Sequence, residues 1–382
     1  MRARGPLIAG CRWYGRAVRV LIVTTWLPTP SSPATGVFIE RDIDLLARDH
    51  EVRVVHLSSA PAQPTARAWD VETIPMSASN PLSVRSAARR LAPMVERFDL
   101  VHTMAASALL PFRRLRSATP WVHTEHLSGI LAPETLPLPV RLALPGTMRL
   151  MRRPDVVVAV GDRLADAIRR SREGAVEVVP NAVEHLAQVP GRRPITAGRI
   201  SLVAVGGLVP RKGPDIAVET IAELARRGWD VSLRWIGSGP MRDEVEALAL
   251  RLRIADRIAL AGTLPTARVL EELAAADVFL LPTAGETFGV SIAEALASGR
   301  PVVVGANGGQ AEFVHEPDGI LVEERTAAAF AEAVERVIDL NATRTSDEIA
   351  ASVRARFTEE SRRRGYARVY GDAVAHARSR AR

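Results

Sequence analysis

The strongest constraint on the fold is an alternation of short β-branched runs with helical periods, which occurs twice along the chain. The predicted strands of the first half span residues 18–24, 52–57, 100–104, 121–124, 156–160 and 176–179. Those of the second half span residues 201–205, 231–236, 257–261, 278–281 and 301–304. Strands that alternate with helices are typical of parallel α/β units. The sequence therefore predicts an α/β protein with two doubly wound halves.

A segment of loop composition separates the two halves. Residues 188–197 contain Pro190, Gly191 and Pro194, which predict a linker. A chain of 382 residues also exceeds the size at which one core usually suffices. We expect a basic leader outside the fold, two domains, and a C-terminal helix that packs back on the first domain, with bounds 1–17, 18–188, 189–360 and 361–382. Ligands of open parallel sheets bind at the carboxyl ends of strands, so the site is expected in the cleft between the domains.

The composition places the chain among globular proteins. Hydrophobic residues make up 47% and charged residues 24%. No apolar run reaches the ~18 residues that a membrane-spanning helix requires. The single cysteine, Cys11, fits a reducing compartment. Residues 7–11 resemble a lipoprotein cleavage box, but the apolar segment before Cys11 is too short for a signal peptide. The sequence thus predicts a cytoplasmic protein.

The positive charge lies entirely in the first half. Residues 1–188 hold 24 Arg against 17 acidic residues, whereas residues 189–382 hold 26 basic and 26 acidic residues. This bias is typical of an acidic substrate, an anionic membrane surface, or a solvated face in an arginine-rich proteome. Nucleic acid is not predicted, because aromatic residues are only 4% and no nucleic-acid motif occurs. Two clusters carry much of the bias: Arg113, Arg114 and Arg116, and then Arg149, Arg152 and Arg153.

Lys212 is the sole lysine among 50 basic residues. It lies in the turn from Gly206 to Gly213, between a predicted strand and an amphipathic helix. An ammonium is a compact point charge that suits phosphate oxygens, and the start of a helix adds backbone amides that also favour anions. This turn therefore predicts a phosphate site. It is not a nucleotide-triphosphatase loop, because the order Gly-Lys-Ser/Thr is absent.

Two carboxylates follow about seventy residues later. Glu286 lies in the loop after the strand at 278–281, and Glu294 lies in a helix among alanine, isoleucine and leucine. A carboxylate in apolar surroundings needs a donor, which a ligand hydroxyl or an arginine could supply. Gly289 opens that helix and lets the backbone approach a ligand closely. These residues predict a loop carboxylate, a helix N-terminus and a helix carboxylate at one edge of a sheet.

The stretch from Glu286 to Glu294, continued to Val303, resembles the signature of the retaining GT-B glycosyltransferases of family 4. Further pieces of the family pattern occur in order: His50-Glu51-Val52, residues 99–102, Val179-Pro180-Asn181, and residues 237–240, 256–262, 277–283, 308–312 and 318–322. The resemblance covers residues 18–375 approximately. It implies a GT-B fold, with two Rossmann-like domains, an interdomain cleft and a helical C-terminal tail.

On the phosphate side of the donor, the resemblance implies that Lys212 binds the diphosphate. Gly206 and Arg211 belong to the same donor-binding turn, and Gly36, in the first strand–helix loop, would pass close to the phosphates. The family often has Gly-Arg where this chain has Gly206-Gly207, so one phosphate-binding arginine is missing here. Arg211 is the candidate that replaces it.

On the sugar side, the resemblance implies that Glu294 binds the ribose hydroxyls and Glu286 the hydroxyls of the donor sugar. The amides of Phe288, Gly289 and Val290 would assist. His126 matches the family histidine near the sugar; a satisfied structural histidine is the alternative. His123 is a rival, but it falls within a predicted strand. The implied catalytic residues are therefore His126, Lys212 and Glu286.

No metal or other cofactor is expected. The only Asp-x-Asp, formed by Asp42 and Asp44, falls in the middle of a predicted helix, where side chains two residues apart diverge. We therefore expect both to lie on the surface. Enzymes of the resembled family use protein charges in place of a metal.

The predicted function is that of a retaining glycosyltransferase, which moves a sugar from a UDP- or GDP-sugar to an acceptor hydroxyl. The acceptor would be a glycan, a lipid-linked saccharide or a small molecule, with the protein at the inner face of the membrane in the lipid-linked case. Two alternatives stay open. One is a sugar-nucleotide 2-epimerase of the same architecture, and the other is a degenerate transferase that acts as a binding subunit.

Overall fold

The computed structural model describes residues 17–32, 35–62, 68–115, 117–192 and 198–380. Within them the chain forms two parallel sheets with helices on both faces, as the alternation predicts. Residues 1–16 with Cys11, residues 193–197 of the predicted linker, and Arg116 lie outside the described residues. The exact domain bounds given above stay predictions.

Among the described residues, seven strands form the first sheet in the order β3-β2-β1-β4-β5-β6-β7. They are β1 (Arg19–Thr24), β2 (Glu51–Leu57), β3 (Asp70–Ile74), β4 (Leu100–Met104), β5 (Trp121–Glu125), β6 (Val156–Ala159) and β7 (Ala175–Val178). The helices of this half are α1 (Val37–Ala47), α2 (Pro81–Val95), α3 (Leu138–Leu150) and α4 (Asp162–Arg169). Strand β3 falls in a Pro- and Ser-rich stretch whose pattern does not predict a strand.

In the described part of the second half, six strands form the other sheet in the order β10-β9-β8-β11-β12-β13. They are β8 (Arg199–Val205), β9 (Asp230–Ile236), β10 (Ile258–Gly262), β11 (Val278–Leu281), β12 (Val302–Gly305) and β13 (Gly319–Val322). The helices are α5 (Pro214–Arg226), α6 (Arg242–Arg251), α7 (Thr266–Ala275), α8 (Val290–Ala297), α9 (Ala327–Leu340), α10 (Ser346–Arg354) and α11 (Glu359–Arg380).

The central strands are apolar runs with both faces covered. Every residue of β6, β11 and β12 is buried, as expected for parallel strands between two helical layers. In both sheets the strand order reverses beside the first strand, between β1 and β4 and between β8 and β11. Crevices at such points, outside the carboxyl ends of the strands, are where open α/β sheets bind ligands.

The last helix returns to the first sheet. Tyr366, Val369 and Tyr370 of α11 belong to the same buried cluster as Val122 of β5 and Val158 of β6. Arg362 of α11 is 2% exposed and forms an ion pair with Asp42 of α1. This contact ties the C-terminal end of the chain to the first domain's core.

The prediction that Asp42 lies on the surface is wrong. Its side chain accepts hydrogen bonds from the Arg362 guanidinium and, at 3.0 Å, from the Tyr366 hydroxyl. Its neighbour Asp44 points away and accepts a 2.7 Å bond from the Trp69 indole. The two carboxylates point in different directions, as their spacing predicts. Asp42 points into the protein because α11 covers that face of α1.

Within the part of the chain that the structure describes, no helix is both long and apolar enough to cross a membrane.

Candidate active site in the interdomain cleft

Lys212 lies in the short 3-10 turn between β8 and α5. The turn ends at Gly213, whose φ of 67° is left-handed, and a Cβ there would come 2.4 Å from the Pro282 carbonyl oxygen. Glycine is thus required on both steric and backbone grounds. At Gly206 a Cβ would come 3.3 Å from the Lys212 side chain, so that glycine makes room for the lysine stem. The turn therefore holds the ammonium against the carboxyl edge of the second sheet.

Glu286 receives both cations of this turn on one oxygen. The Lys212 Nζ lies 2.7 Å and the Arg211 Nη1 lies 3.0 Å from Glu286 Oε1, and the Thr283 hydroxyl donates to the same oxygen at 2.8 Å. Burial acts to raise the pKa of Glu286, but Lys212 and then Arg211 outweigh it, so the pKa falls below its ordinary value. Glu286 therefore stays ionised.

Burial also disfavours the charged form of Lys212 and so lowers its pKa. Arg211 adds to the lowering, whereas the Glu286 carboxylate opposes it. An ammonium has three N–H donors, and one of them is directed at Glu286. Among the described residues Glu286 is its one acceptor, which leaves two N–H donors for anionic oxygens in the cleft.

Glu294 lies on α8 and is 6% exposed. The Arg41 Nη1, from α1 of the other domain, lies 2.9 Å from Glu294 Oε1. Arg41 Nε also lies 2.7 Å from Glu184 Oε1, in the segment that leaves the first domain. Burial raises the pKa of Glu294 above its ordinary value, although Arg41 opposes the rise. The ion pair joins the two domains across the cleft.

The start of α8 faces the same cleft, because α8 follows the carboxyl end of β11. Gly289 precedes it with a φ of 92°. The Phe288 ring packs on Phe313 and Phe357, with centroids 5.2 and 5.0 Å away, and is therefore part of the core. The first amides of a helix have no partner within it. The backbone amides from Phe288 to Val290 can therefore donate to a ligand, whereas the Phe288 ring is packed in the core.

His126 follows β5 and is buried against Phe38, with ring centroids 4.7 Å apart. Its carbonyl oxygen accepts a 2.7 Å bond from the Thr287 hydroxyl of the second domain. Its Nε2 has no hydrogen-bond partner in the part of the chain that the structure describes. Burial, with Arg362 adding to it, holds the pKa of His126 well below its usual value, so the ring is neutral. The rival His123 lies within β5, bound to Thr103 and Glu125.

Gly36 ends the first strand–helix loop immediately before α1. Its φ is 75°, and a Cβ would come 2.4 Å from the Trp26 carbonyl oxygen. Since α1 carries both Phe38 beside His126 and Arg41 beside Glu294, Gly36 lies at the helix end that borders the cleft. Its contact with phosphate stays a prediction.

The domains also meet at Glu312. Its carboxylate accepts bonds from the amides of Asp162 at 2.9 Å and Arg163 at 2.7 Å, which begin α4 of the first domain. A Cβ on Gly161 would come 2.9 Å from that carboxylate. A carboxylate at a helix N-terminus is stabilising. This contact therefore adds a link between the two domains.

The structure thus brings Lys212, Arg211 and Glu286 together and places Glu294 and His126 on facing walls. Sequence reasoning missed Arg41 and Thr283. Thr283 ends the matched run after β11, which is a usable signal, whereas nothing in the pattern of α1 indicates a partner 253 residues away. At Gly207 a Cβ would meet only ordinary contacts, so the missing arginine is not excluded sterically. In the described ranges no cluster of three or more His, Cys, Asp or Glu is placed to hold a metal ion.

Comparison with solved structures defines the class of fold. Sucrose-phosphate synthase from Thermosynechococcus elongatus superposes with a TM-score of 0.77 and 20% identity, over 94% of this chain and 99% of that one. Anabaena HepE, solved with UDP and glucose, superposes with a TM-score of 0.72 and 20% identity, over 92% of this chain and 99% of that one. The fold is GT-B: two Rossmann-like domains around a cleft.

Family models then identify the chain. Residues 44–185 match the model described as Glycosyltransferase Family 4, and residues 199–339 match that described as Glycosyl transferases group 1. The two models together match more than half of the chain. The protein belongs to family 4 of the glycosyltransferases.

Several curated relatives carry inositol 3-phosphate or phosphatidylinositol in their names, and one is named as a 2-deoxystreptamine glucosyltransferase of Streptomyces kanamyceticus. A D-inositol 3-phosphate glycosyltransferase of Acidothermus cellulolyticus is 31% identical, over 70% of this chain and 65% of that protein. A GDP-mannose-dependent phosphatidylinositol monomannoside mannosyltransferase of Mycobacterium tuberculosis is 34% identical, over 37% of this chain and 38% of that protein. The matched stretches therefore span less than two thirds of the length of these relatives.

Proposed function

We propose that this protein is a retaining glycosyltransferase that transfers a sugar from a nucleoside-diphosphate sugar to an acceptor hydroxyl. The observation that supports it most is the contact of Lys212 and Arg211 with one oxygen of Glu286, beside the start of α8. Two cations and a helix N-terminus suit a diphosphate, and an ionised carboxylate beside them suits sugar hydroxyls.

The chemistry follows from where charge develops. As the bond between the sugar and the diphosphate lengthens, the leaving oxygens gain negative charge and the sugar becomes oxocarbenium-like. The two free N–H donors of Lys212 and the first amides of α8 would stabilise the leaving group, an effect of the oxyanion-hole type. The departing phosphate would take the acceptor proton on the same face of the sugar, which retains the anomeric configuration. No metal or other cofactor is part of this proposal.

Glu294 and His126, on the facing walls of the cleft, would bind the ribose and the donor sugar. Glu294 would accept hydrogen bonds from the ribose hydroxyls, which requires that the nucleotide share or displace Arg41 on Oε1. The neutral His126, whose buried Nε2 lacks a partner among the described residues, would hydrogen-bond the donor sugar. A buried unpaired nitrogen is costly, so a ligand that satisfies it gains affinity.

The acceptor would be anionic. The excess of arginine over acidic residues is confined to residues 1–188, which hold the acceptor side of the cleft in this proposal. Two of the relatives are named for inositol phosphate and phosphatidylinositol, which carry phosphate. Inositol phosphate and phosphatidylinositol both contain a phosphate group attached to a polyol. A cytoplasmic location is proposed with it, since sugar nucleotides are cytoplasmic substrates.

The 2-epimerase alternative requires acid/base groups in the cleft and no acceptor. The described histidine–carboxylate pair, His123 with Glu125, is fully buried in the first sheet and so is not placed for that role. The degenerate-transferase alternative loses support because Glu286, Glu294 and Lys212 are all present.

The test is a thermal-shift panel of UDP-, GDP- and ADP-sugars, because a ligand that binds only the folded state raises the unfolding temperature. We expect one nucleotide series to raise it, and Lys212→Met to lose most of that rise. A coupled assay that finds donor turnover to an epimer without acceptor would identify the epimerase instead. No shift with any member of the panel would contradict donor binding.

A further inference from the structure

Helix α3 differs from the other helices in how it meets the protein. Every residue of α3 is described, and none of them is buried. Leu138, Val140 and Leu142 have exposed fractions of 58%, 45% and 73%. By comparison, α2 buries Ala87, Leu91 and Val95 in the core. The first half of α3 thus presents apolar side chains to solvent, although a helix of ordinary amphipathic pattern would bury them.

The second half of α3 fixes its orientation. Leu144, Thr147 and Met148 are half-buried and recur at helical spacing, and Met151 directly after the helix is buried. Leu142 and Arg149 are exposed and lie on the opposite side of the helix. The helix therefore rests on the first domain along one narrow stripe and directs leucine and arginine outward.

Cations cluster at the C-terminal end of α3. Between residues 127 and 153 there are four arginines and one acidic residue, Glu134. The Arg153 guanidinium donates to the carbonyl oxygens of Arg113 and, at 2.8 Å, Leu115. This contact holds the exposed Arg113 and Arg114 beside the end of α3, where Arg149 and Arg152 are also exposed. Arg153 itself is occupied by these two hydrogen bonds. Arg116 lies outside the described residues.

The position of α3 links this surface to the cleft. The chain runs from His126 through two short 3-10 turns to Leu138, where α3 begins. Along that path Ala132 is buried so closely against the second domain that a Cβ on Gly285 would come 2.9 Å from it. A molecule held at α3 would therefore reach the cleft from its rim.

We propose that α3 and the flanking arginines form a docking surface for an anionic lipid bilayer. The apolar residues Leu138 and Leu142, on the outward face of α3, insert at the headgroup boundary, while Arg113, Arg114 and Arg149 bind lipid phosphates. An exposed apolar helix with cations beside it is the pattern of helices that lie in a membrane interface. The surface would present a lipid-linked acceptor to the cleft, which rests on the function proposed above.

The experiment is vesicle sedimentation of the full chain, without donor or acceptor. The vesicles are phosphatidylcholine alone or phosphatidylcholine with phosphatidylglycerol, at salt concentrations of about 0.1 M and 1 M, where the screening length falls from ~10 to ~3 Å. We expect binding to the anionic vesicles at low salt, little binding to the neutral ones, and loss at high salt.

Three double variants and one single variant locate the surface. Leu138→Gln with Leu142→Gln should lower the partition coefficient about tenfold or more, since interfacial binding scales with buried apolar area. Arg113→Glu with Arg114→Glu should lower it at least as much and flatten its salt dependence. The exposed Leu250→Gln, on α6 of the other domain, is the matched apolar control. Arg85→Glu with Arg89→Glu, on α2, is the matched charge control and should change little.

Several results would overturn the proposal. Anionic binding that the leucine pair does not reduce would remove α3 from the surface, and loss through the α2 pair alone would move the surface to α2. A wild-type dimer that the leucine pair dissociates, with no vesicle binding, would show that a second copy covers this face. Donor thermal shifts measured in the same variants separate this outcome from failure of the proposed function, since the leucines do not contact the donor site.

Discussion

Arg41 in the first domain and Glu294 in the second are joined across the cleft, with Arg41 Nη1 2.9 Å from Glu294 Oε1. The carboxylate that we propose as the ribose ligand is thus paired with an arginine of the other domain. Arg41 also contacts Glu184 and, at 3.3 Å, the Thr266 hydroxyl. Arg41 therefore bridges the two walls of the cleft, and a nucleotide that binds Glu294 must share or displace it.

Removal of this competitor should tighten nucleotide binding. We expect Arg41→Met to raise the affinity for the free nucleoside diphosphate by about tenfold, because a hydrogen bond to a charged group contributes ~1.5 kcal/mol or more. Isothermal titration calorimetry would measure it. The control is Arg48→Met, directly after the same helix, whose ion pair with Glu359 is exposed. A weaker affinity in Arg41→Met would show instead that Arg41 binds the nucleotide.

The two cleft carboxylates should have separable roles. Glu294→Gln should weaken binding of the free nucleoside diphosphate by about tenfold, since an amide nitrogen cannot accept from a ribose hydroxyl. Glu286→Gln should leave that affinity nearly unchanged and lower turnover with the complete donor, because its proposed partner is the sugar. Calorimetry and steady-state kinetics on both variants would test this. Equal losses of nucleotide affinity would contradict the division.

The same substitution at Glu294 has a consequence for stability. Burial raises the pKa of Glu294, with Arg41 in opposition. The folded protein then holds this proton at a pH where the unfolded chain has lost it, so stability falls as the pH rises from the unfolded value, about 4.3, through the raised value. Glu294→Gln should unfold at higher temperature than the wild type at pH 7, and the difference should vanish toward pH 4.

Thermal unfolding at both values of pH would measure this difference. Glu246→Gln is the control, because its ion pair with Arg242 is about half exposed on both sides. A Glu294→Gln variant that is less stable than the wild type at pH 7 would show that the ionised carboxylate contributes to stability through Arg41.

The contact between α1 and α11 should dominate the stability of the first domain. Asp42→Asn leaves Arg362 buried and without its carboxylate, and loss of one partner of a buried pair costs about 3–5 kcal/mol. Urea unfolding would measure the change. Asp49→Asn breaks the neighbouring pair with Arg363, whose side chains are 41% and 43% exposed, and should cost no more than ~1 kcal/mol. Similar small effects of both variants would contradict a structural role for the buried pair.

Local pattern predicts eleven of the thirteen described strands, all except β3 and β13, and the donor-side turns. The position of Lys212 between a strand and a helix predicts its place at the carboxyl edge, and the spacing of Glu286 and Glu294 predicts a loop and a helix that share that edge. These features depend on residues close in sequence. In the structure Lys212 and Glu286 are in contact.

Contacts between distant segments could not be predicted in this way. Arg41 reaches Glu294 because two domains close on each other, and Asp42 is buried because α11 returns over 320 residues of sequence. An aspartate in an amphipathic helix gives no sign of which helix will cover it. The exposure of α3 could not be predicted either, because its leucines do not show whether another element will cover them.

The most direct test of the account is turnover with the donor identified by the thermal-shift panel, in wild type and Lys212→Met. Lys212 is proposed to stabilise the leaving diphosphate, so the variant should lose about 10²–10³-fold in kcat, the scale for one transition-state charge stabiliser. The variant should keep its affinity for the free nucleoside, which lacks phosphate. Wild-type kinetics in Lys212→Met would contradict the assignment of this site to the donor diphosphate.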